Sequence, residues 1–126
     1  MIDKGVYVRV RSDLRGNRNY GDTYCNPMME ASRGRVFMVT RKLYDGEFQL
    51  EGIDNWVWSK EMLVPEAPPD ALDVSVKLRV NIFGVGAVGE IVTAKQHGGF
   101  VYLGKEYLPM QGILFADEAK IIKEDN

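Results

Sequence analysis

Residues that commonly carry catalytic or metal chemistry are scarce in this chain of 126 residues. It contains one cysteine, Cys25, and one histidine, His97. A single cysteine cannot form an intrachain disulfide, and a structural zinc site requires four cysteine or histidine ligands. The sequence therefore excludes both features, and we expect no metal and no other cofactor.

Long apolar runs are also lacking. No segment approaches the roughly 18 consecutive apolar residues of a transmembrane helix. The first five residues, Met1-Ile2-Asp3-Lys4-Gly5, do not show the basic and then apolar stretches of a secretory signal peptide. A lone cysteine also fits a reducing compartment. These absences predict a cytoplasmic protein that has no membrane partner.

The net charge is small, at −2, but it is unevenly distributed. Residues 1–42 carry nine basic and four acidic side chains, whereas the remainder carries seven basic and fourteen acidic ones. Seven of the eight arginines precede residue 42. Because arginine binds phosphate and carboxylate groups in a bidentate manner, this asymmetry favours recognition by the first part of the chain. The alternative is that folding brings the two kinds of charge together.

Apolar and polar side chains alternate along most of the chain, as they do on half-buried β-strands. In the first half the pattern predicts strands at residues 6–11, 35–41, 47–51 and 56–58, then a 3₁₀ turn at 59–63 and a closing strand from Val64. In the second half it predicts strands at 74–80, 90–95, 100–103, 107–110 and 112–115, then a helical turn at 116–120 and a closing strand at 121–122. The predicted fold class is all-β, with short helical turns.

A proline-rich segment separates the two halves. Three of the five prolines lie within residues 65–70. Proline lacks the backbone N–H and fixes φ, so this stretch is typical of a semi-rigid linker. We therefore predict a first domain at 1–64, a linker at 65–72 and a second domain at 73–126.

The two halves look like one unit used twice. Val8-Arg9-Val10 matches Leu78-Arg79-Val80, and Gly34 and Gly89 each open the second strand of their half. The first half has about fifteen extra residues before its glycine, roughly residues 15–32, which we interpret as a long loop. Five short strands and one helical turn per half are typical of a small barrel. The sequence therefore predicts two small β-barrels in tandem.

The order of these elements resembles the SH3-like barrel: strand, long loop, glycine-led strand, hairpin, aromatic strand, short turn, closing strand. The runs at 8–14 (Val-Arg-Val-Arg-Ser-Asp-Leu) and 56–63 (Trp-Val-Trp-Ser-Lys-Glu-Met-Leu), with Tyr20-Gly21 and Gly34-Arg35-Val36, are similar to small uncharacterised proteins of phages and prophages of Gram-positive bacteria. This resemblance covers about residues 6–64, and the second half is SH3-like by pattern only. It implies a phage or mobile-element origin, and it implies no activity.

Two apparent chemical motifs carry little weight. Cys25 and His97 lie in segments predicted as loops of different halves, and no local signature marks them as a nucleophile and its base. The run Gly84-Val85-Gly86-Ala87-Val88-Gly89 matches the dinucleotide-binding pattern, but that pattern requires a following helix. The β-branched residues at 91–93 and Gly98-Gly99 leave no room for one. We therefore interpret the run as a loop that leads into a strand, and we expect no enzymatic activity.

The segment at residues 11–24 mixes arginine, amide and tyrosine side chains with glycine, which is typical of a recognition surface. SH3-like barrels commonly bind ligands with this loop and with aromatic side chains of the third and fourth strands, so the resemblance adds two tryptophans. The predicted partner-binding residues are Arg11, Arg15, Arg18, Tyr20, Tyr24, Trp56 and Trp58. The alternative for the tryptophans, which should share one face of a strand, is that one or both belong to the core.

The sequence thus predicts a non-enzymatic binding module. In the first hypothesis it is a phage-type accessory protein that docks on a host or phage protein and inhibits it, for example a nucleic-acid-handling defence enzyme, as anti-CRISPR proteins do. Either the basic loop or an acidic face would meet that partner; the acidic face consists of Asp45, Glu47, Glu51, Asp54 and Glu61. The alternative is nucleic-acid binding by the basic first half, which should weaken steeply with salt. A pI of about 5.4 disfavours that alternative, and the sequence does not indicate an oligomeric state.

Overall fold

The computed structural model describes residues 2–103, 113–114 and 119–125. Within these ranges the regular structure consists of β-strands and three short 3₁₀ turns, which confirms the predicted all-β class. The chain divides into two compact units, Ile2–Val64 and Pro65–Asn126. No helix in the described ranges is long and apolar enough to cross a membrane.

The first unit contains a five-stranded antiparallel sheet and a separate two-stranded hairpin. Its strands are β1 (Tyr7–Val10), β2 (Arg18–Tyr20), β3 (Thr23–Cys25), β4 (Val36–Lys42), β5 (Glu47–Leu50), β6 (Trp58–Ser59) and β7 (Leu63–Pro65). The sheet order is β6-β5-β4-β1-β7, and β2 pairs with β3 alone. A 3₁₀ turn at Lys60–Met62 immediately precedes β7, so the predicted turn and closing strand are both present.

The alternation of side chains along β1 explains the position of this unit's core. Val6, Val8 and Val10 are fully buried, whereas Tyr7 and Arg9 between them are only half-buried. Removing a valine side chain of this kind from water contributes roughly 1.5 kcal/mol or more to stability. The core also takes in Leu14, Cys25, Met29, Val39, Phe48, Leu50, Trp58 and Met62.

The segment predicted as a long loop at 15–32 is folded, which corrects that interpretation. Two-thirds of it forms the β2–β3 hairpin and a 3₁₀ turn at Pro27–Ser32. The hairpin reverses at Gly21, whose φ of 63° suits glycine. The 3₁₀ turn begins after Asn26, whose Oδ1 accepts the Met29 N–H at 3.0 Å, and Pro27 occupies its first position. The sequence signals for these elements are short and local, and arginines and glycines around them obscured the pattern.

The second unit contains a five-stranded antiparallel sheet of the same order. Its strands are β8 (Leu72–Leu78), β9 (Ile91–His97), β10 (Phe100–Tyr102), β11 (Ile113–Leu114) and β12 (Ala119–Asp125). Their order is β11-β10-β9-β8-β12, so the closing strand again lies beside the first. Ala119 and Lys120 belong to β12, so the helical turn predicted at 116–120 is wrong there. The rest of that turn and the strand predicted at 107–110 lie outside the described residues.

The backbone hydrogen bonds correct the register in which the two halves were matched. Gly34 N–H donates to Val10 O at 2.8 Å, and Gly89 N–H donates to Leu78 O at 2.9 Å. The equivalent pairs are therefore Gly34 with Gly89, as predicted, and Val10 with Leu78. Val10 had been matched to Val80, which is two residues away. Alternation with a period of two fits both registers equally well, and only the ladder distinguishes them.

The proline-rich segment joins β7 to β8. Pro65 is the last residue of β7 and Leu72 the first of β8. Between them Pro68 is buried, and its carbonyl accepts the Ala71 N–H at 3.1 Å. Residues 68–71 of the segment therefore form a turn that begins with a buried proline.

Candidate functional site

The β2–β3 hairpin is held against the rest of its unit by side-chain contacts. Thr23 Oγ1 donates to Glu47 Oε2 at 2.6 Å, and this bond joins β3 to β5. At the hairpin turn, a Cβ added to Gly21 would lie 2.5 Å from Glu61 Oε1, so the Glu61 carboxylate packs directly on the turn. Near the hairpin base, Asn17 N–H donates to Cys25 O at 2.8 Å. The hairpin is consequently anchored to its unit near the turn, and the Asn17–Cys25 bond closes its base.

These contacts correct the proposed acidic face. Two of its five members, Glu47 and Glu61, lie against the hairpin of their own unit. Their carboxylates hold β2 and β3 in place, which limits their use for imitating the phosphates of a nucleic acid.

Arg11 was predicted to contact a partner, but its guanidinium already has partners. Nε and Nη2 donate to the two carboxylate oxygens of Asp13 at 3.0 and 2.8 Å, and Nη1 donates to Glu61 O at 3.2 Å. The hydrogen bond from Arg11, reinforced by its charge, holds the pKa of Asp13 below its ordinary value. Arg11 therefore links the end of β1 to the 3₁₀ turn before β7.

The pairing register separates the two predicted tyrosines. Tyr20 lies opposite Thr23 and is half-buried, and its hydroxyl accepts the Arg15 N–H at 2.9 Å. Tyr24 lies opposite Asn19, on the other face of the hairpin, and both are exposed. The Tyr24 hydroxyl donates to Asn17 Oδ1 at 2.7 Å, which fixes the exposed ring. Tyr20 thus supports the hairpin, and Tyr24 is available on its surface.

Arg15 and Arg18 are exposed on the same segment. In the described part of the chain, neither guanidinium makes a hydrogen bond or an ion pair. Sequence reasoning did not single out the exposed side chains of Asn19, in β2, and Met28, in the 3₁₀ turn that follows the hairpin. Met28 is 70% exposed and Met29 is 1% exposed, a difference that depends on the phase of the 3₁₀ turn and that the dipeptide itself does not reveal. We call the exposed side chains Arg15, Arg18, Asn19, Tyr24 and Met28 the hairpin surface. The register places Asn19 and Tyr24 on one face of the hairpin and Arg18, which lies opposite Cys25, on the other face.

The two tryptophans differ in burial. Trp58 is 0% exposed, so it belongs to the core and cannot contact a partner directly in this structure. Trp56 precedes the short strand β6, is half-buried, and meets the Trp58 ring edge-on at 75°, with 6.3 Å between the ring centroids. Among the described residues, the Trp58 Nε1–H and the Ser59 hydroxyl are buried without a hydrogen-bond partner. Trp58 is therefore a core residue, whereas Trp56 remains a candidate partner-binding residue.

A second surface that the sequence did not indicate lies where β4 turns into β5. Arg41, Lys42, Leu43 and Tyr44 line an open cavity of about 480 Å³. Tyr44 is 90% exposed, and Arg41 and Lys42 are also exposed. We call these residues the β4–β5 tip. It combines two cations with an aromatic ring that no described contact covers.

The residues considered for catalysis have unremarkable surroundings. Cys25 is buried, and this burial, with the nearby charge of Glu30, raises the pKa of its thiol. A buried thiol of raised pKa is a poor nucleophile. The His97 Nε2 lies 3.6 Å from Asp70 Oδ2. Among the described residues, no three histidine, cysteine or acidic side chains form a group that could hold a metal ion.

No protein-family model matches this sequence, and no curated protein or solved structure shows significant similarity to it.

Proposed function

We propose that this protein is a non-enzymatic binding module that recognises a protein partner through the hairpin surface. The observation that supports the proposal is the anchoring of the β2–β3 hairpin by Thr23 and Glu61, while Tyr24 remains exposed on the hairpin and Met28 on the 3₁₀ turn that follows it. A surface that is already ordered loses little conformational entropy on binding, so it favours affinity. An exposed tyrosine whose hydroxyl is fixed provides rigid contact area at low entropic cost.

The partner that this surface suits is one that presents carboxylate groups. Arg15 and Arg18 are exposed, and their guanidinium groups make no hydrogen bond or ion pair with the described residues, although the charge of Arg15 helps to lower the pKa of Asp13. Arginine donates two parallel hydrogen bonds to a carboxylate, which gives geometric specificity as well as affinity. Arg11 would contribute indirectly, because its bonds to Asp13 and Glu61 support the segment that carries Arg15.

The proposal also covers the kind of protein this is and the class of partner it binds. Each sheet places its closing strand beside its first strand, an order that accords with the resemblance to SH3-like barrels. On the strength of the sequence resemblance, we propose a phage-type accessory protein that docks on a host protein and inhibits it. A nucleic-acid-handling defence enzyme, as for anti-CRISPR proteins, is the partner class that this reading favours, and the site of action would be the cytoplasm.

The test compares two triple variants, each of which removes two cationic side chains and one tyrosine from a different surface. Arg15→Ala/Arg18→Ala/Tyr24→Ala removes two cations and one tyrosine from the hairpin surface, and Arg41→Ala/Lys42→Ala/Tyr44→Ala removes the same set from the β4–β5 tip. Each tagged protein is used to capture partners from a bacterial lysate, and the captured protein is then purified and titrated. We expect the hairpin variant to bind that protein at least about tenfold more weakly and the tip variant to bind normally. Equal loss in both variants, or in neither, would contradict the proposal.

The β4–β5 tip supports nucleic-acid binding as a second candidate function. An exposed tyrosine beside two cations can stack on a base while the cations contact phosphates. A labelled single-stranded oligonucleotide titrated at low and at physiological ionic strength distinguishes the candidates. Tight binding that weakens steeply with salt and disappears in the tip variant would establish this second function in place of the first.

A further inference from the structure

The second unit exposes a strip of large apolar side chains that the proposed function does not use. Val80, Phe83 and Val88 lie in the loop between β8 and β9, and Ile91 is the first residue of β9. Phe83 is 86% exposed, Ile91 64% and Val88 58%. We call these four side chains the apolar strip. The loop that carries them occupies the same place between the first two strands of the sheet as the hairpin segment does in the first unit.

The loop is braced by its own hydrogen bonds. Ile82 and Gly86 form an antiparallel bridge, and Asn81 Oδ1 accepts the Val88 N–H at 2.8 Å. Glu90 Oε1 accepts the Ala87 N–H at 3.0 Å. These bonds place Val88 beside the Val80-Asn81 side of the loop and Phe83 at its tip, so the strip extends from Ile91 to Phe83.

The loop also sorts its apolar residues between two sides. Ile82 and Val85 pack against the core cluster of Val74, Val76 and Leu78, whereas Val80, Phe83 and Val88 face away from it. Exposed apolar side chains that are single and scattered need no explanation, but four that are held in one ordered segment mark an interaction surface. Such a surface resembles the core of an interface, in which a few aromatic and aliphatic anchors contribute most of the affinity.

The charges beside the strip indicate what it binds. Lys77 is exposed and pairs with Ile91 on one side and with Lys120 of β12 on the other. Arg79 lies next to Val80 and is also exposed. Glu90 is the one acidic residue between positions 77 and 91, and its carboxylate bonds within the loop. Among the described residues, Lys77 and Arg79 therefore form a cationic rim beside one carboxylate, that of Glu90, and Arg79 has a further interaction within the chain.

We propose that the apolar strip is a second docking surface, which takes an amphipathic segment of a partner protein whose large apolar residues are flanked by aspartate or glutamate. The apolar residues of that segment cover Phe83, Val88 and Ile91, and its carboxylates meet the cationic rim. A second copy of this chain fits less well, because a twofold contact between two strips brings their lysines together. The surface lies on a different unit from the hairpin surface, and its test does not depend on that proposal.

The test uses a random peptide library displayed on phage and selected on the full-length protein. Enriched peptides are synthesised, and their affinities are measured by fluorescence anisotropy. We expect sequences with two or more large apolar residues flanked by aspartate or glutamate. Phe83→Ala should weaken their binding about tenfold or more, and Lys77→Glu several-fold. Leu72→Ala, which removes an exposed apolar side chain from the far end of β8, outside the strip, should leave it unchanged.

Variants at Val88 and at Val85 distinguish a loss of peptide binding from a loss of folding stability. Val88→Ser should weaken peptide binding while the thermal unfolding midpoint stays close to that of the wild type. Val85→Ala removes an inward-facing side chain of the same loop and should lower the midpoint more than the affinity. Absence of enrichment, peptides that bind Phe83→Ala as well as the wild type, or a basic consensus would overturn the proposal. A dimer seen by sedimentation that dissociates in Phe83→Ala would also overturn it, in favour of a second copy as the occupant.

Discussion

At the scale of single residues, the arginines of the first unit make different contacts although their side chains are chemically identical. Arg11 is bound to Asp13 and to a backbone carbonyl, and Arg9 donates to the carbonyl of Gly34. The Arg35 guanidinium lies 5.5 Å from the centre of the Phe37 ring. Arg15 and Arg18 are exposed and make no hydrogen bond or ion pair with the described residues. An excess of arginine in a sequence therefore overstates the basic surface that the folded unit offers.

The Arg11–Asp13 pair has a consequence for stability at acidic pH. Because the folded state lowers the pKa of Asp13 below its ordinary value of 3.8, the pair stabilises the fold above that pH. The contribution is lost as the pH falls through the lowered pKa. Asp13→Asn should cost about 0.2–1 kcal/mol at pH 7, the range for exposed pairs, and almost nothing once Asp13 is protonated in both states. Urea unfolding at neutral and at strongly acidic pH measures the difference.

Asp54→Asn is the control for that measurement. Asp54 is also exposed, and no described hydrogen bond or ion pair involves its side chain. A cost of Asp13→Asn that stays constant across the pH range, or that matches the cost of Asp54→Asn, would show that the ion pair does not stabilise the fold.

At the scale of elements, the β2–β3 hairpin is the feature that the sequence indicated least clearly. Its inward side chains, Thr23 and Cys25, are buried, and its turn fits under Glu61. A three-residue strand is too short for alternation to identify it, and the contacts that stabilise it come from residues at least 24 positions away. The hairpin exists because β5 and the turn before β7 provide its support.

Gly21 offers a test of that support. Its φ of 63° strains any other residue, and an added Cβ would meet Glu61. Gly52 has a φ of 82° with open space around it, so Gly52→Ala reports the backbone strain alone. We expect Gly21→Ala to lower the free energy of unfolding by about 1–2 kcal/mol from strain, plus a further amount from the contact. Urea titration of both variants gives the comparison.

The part of the Gly21→Ala cost that comes from the contact of the added Cβ should depend on Glu61. In a Glu61→Ala background, Gly21→Ala should cost about as much as Gly52→Ala does. The labelling rate of the buried Cys25 thiol provides a second readout, since an opened hairpin would expose it. If Gly21→Ala and Gly52→Ala cost the same in the wild-type background, the turn does not pack on Glu61.

At the scale of the whole molecule, one sheet order occurs in both units with different loops. Val6, Val8 and Val10 of the first unit correspond to Val74, Val76 and Leu78 of the second, and all six are buried. The loops between the first two strands differ in chemistry, since one carries arginine and tyrosine and the other carries Phe83 and valines. Equivalent buried residues stabilise the sheet in each unit, and the loops, which lie at the surface, differ in chemistry.

Paired substitutions test both the division into units and the register. Val8→Ala and Val76→Ala should each cost about 2 kcal/mol, because each empties an equivalent core position. Hydrogen exchange should show lost protection in β1 and β4 for the first variant, and in β8 and β9 for the second. Val80→Ala should cost little, since Val80 is exposed and not the equivalent of the buried Val10. Equal loss of protection in both units from either core variant would contradict independent units.

The sequence by itself determined the features that depend on near neighbours. Alternation located most strands, Gly34 and Gly89 marked the approach to the second strand of each half, and residues 59–63 signalled the 3₁₀ turn before β7. Such signals are readable because a strand or a turn is specified by residues within a few positions of one another.

The tertiary structure decided which of the predicted site residues are exposed and which further residues lie beside them. It placed Trp58 in the core, bound Arg11 to Asp13 and Glu61, folded 15–32 into a hairpin and left Met28 and Phe83 exposed. Each outcome depends on contacts between residues that are distant in the chain, or on the phase of a short turn. A residue's type sets which bonds it can make, but the packing around it decides which of those bonds are left for a partner.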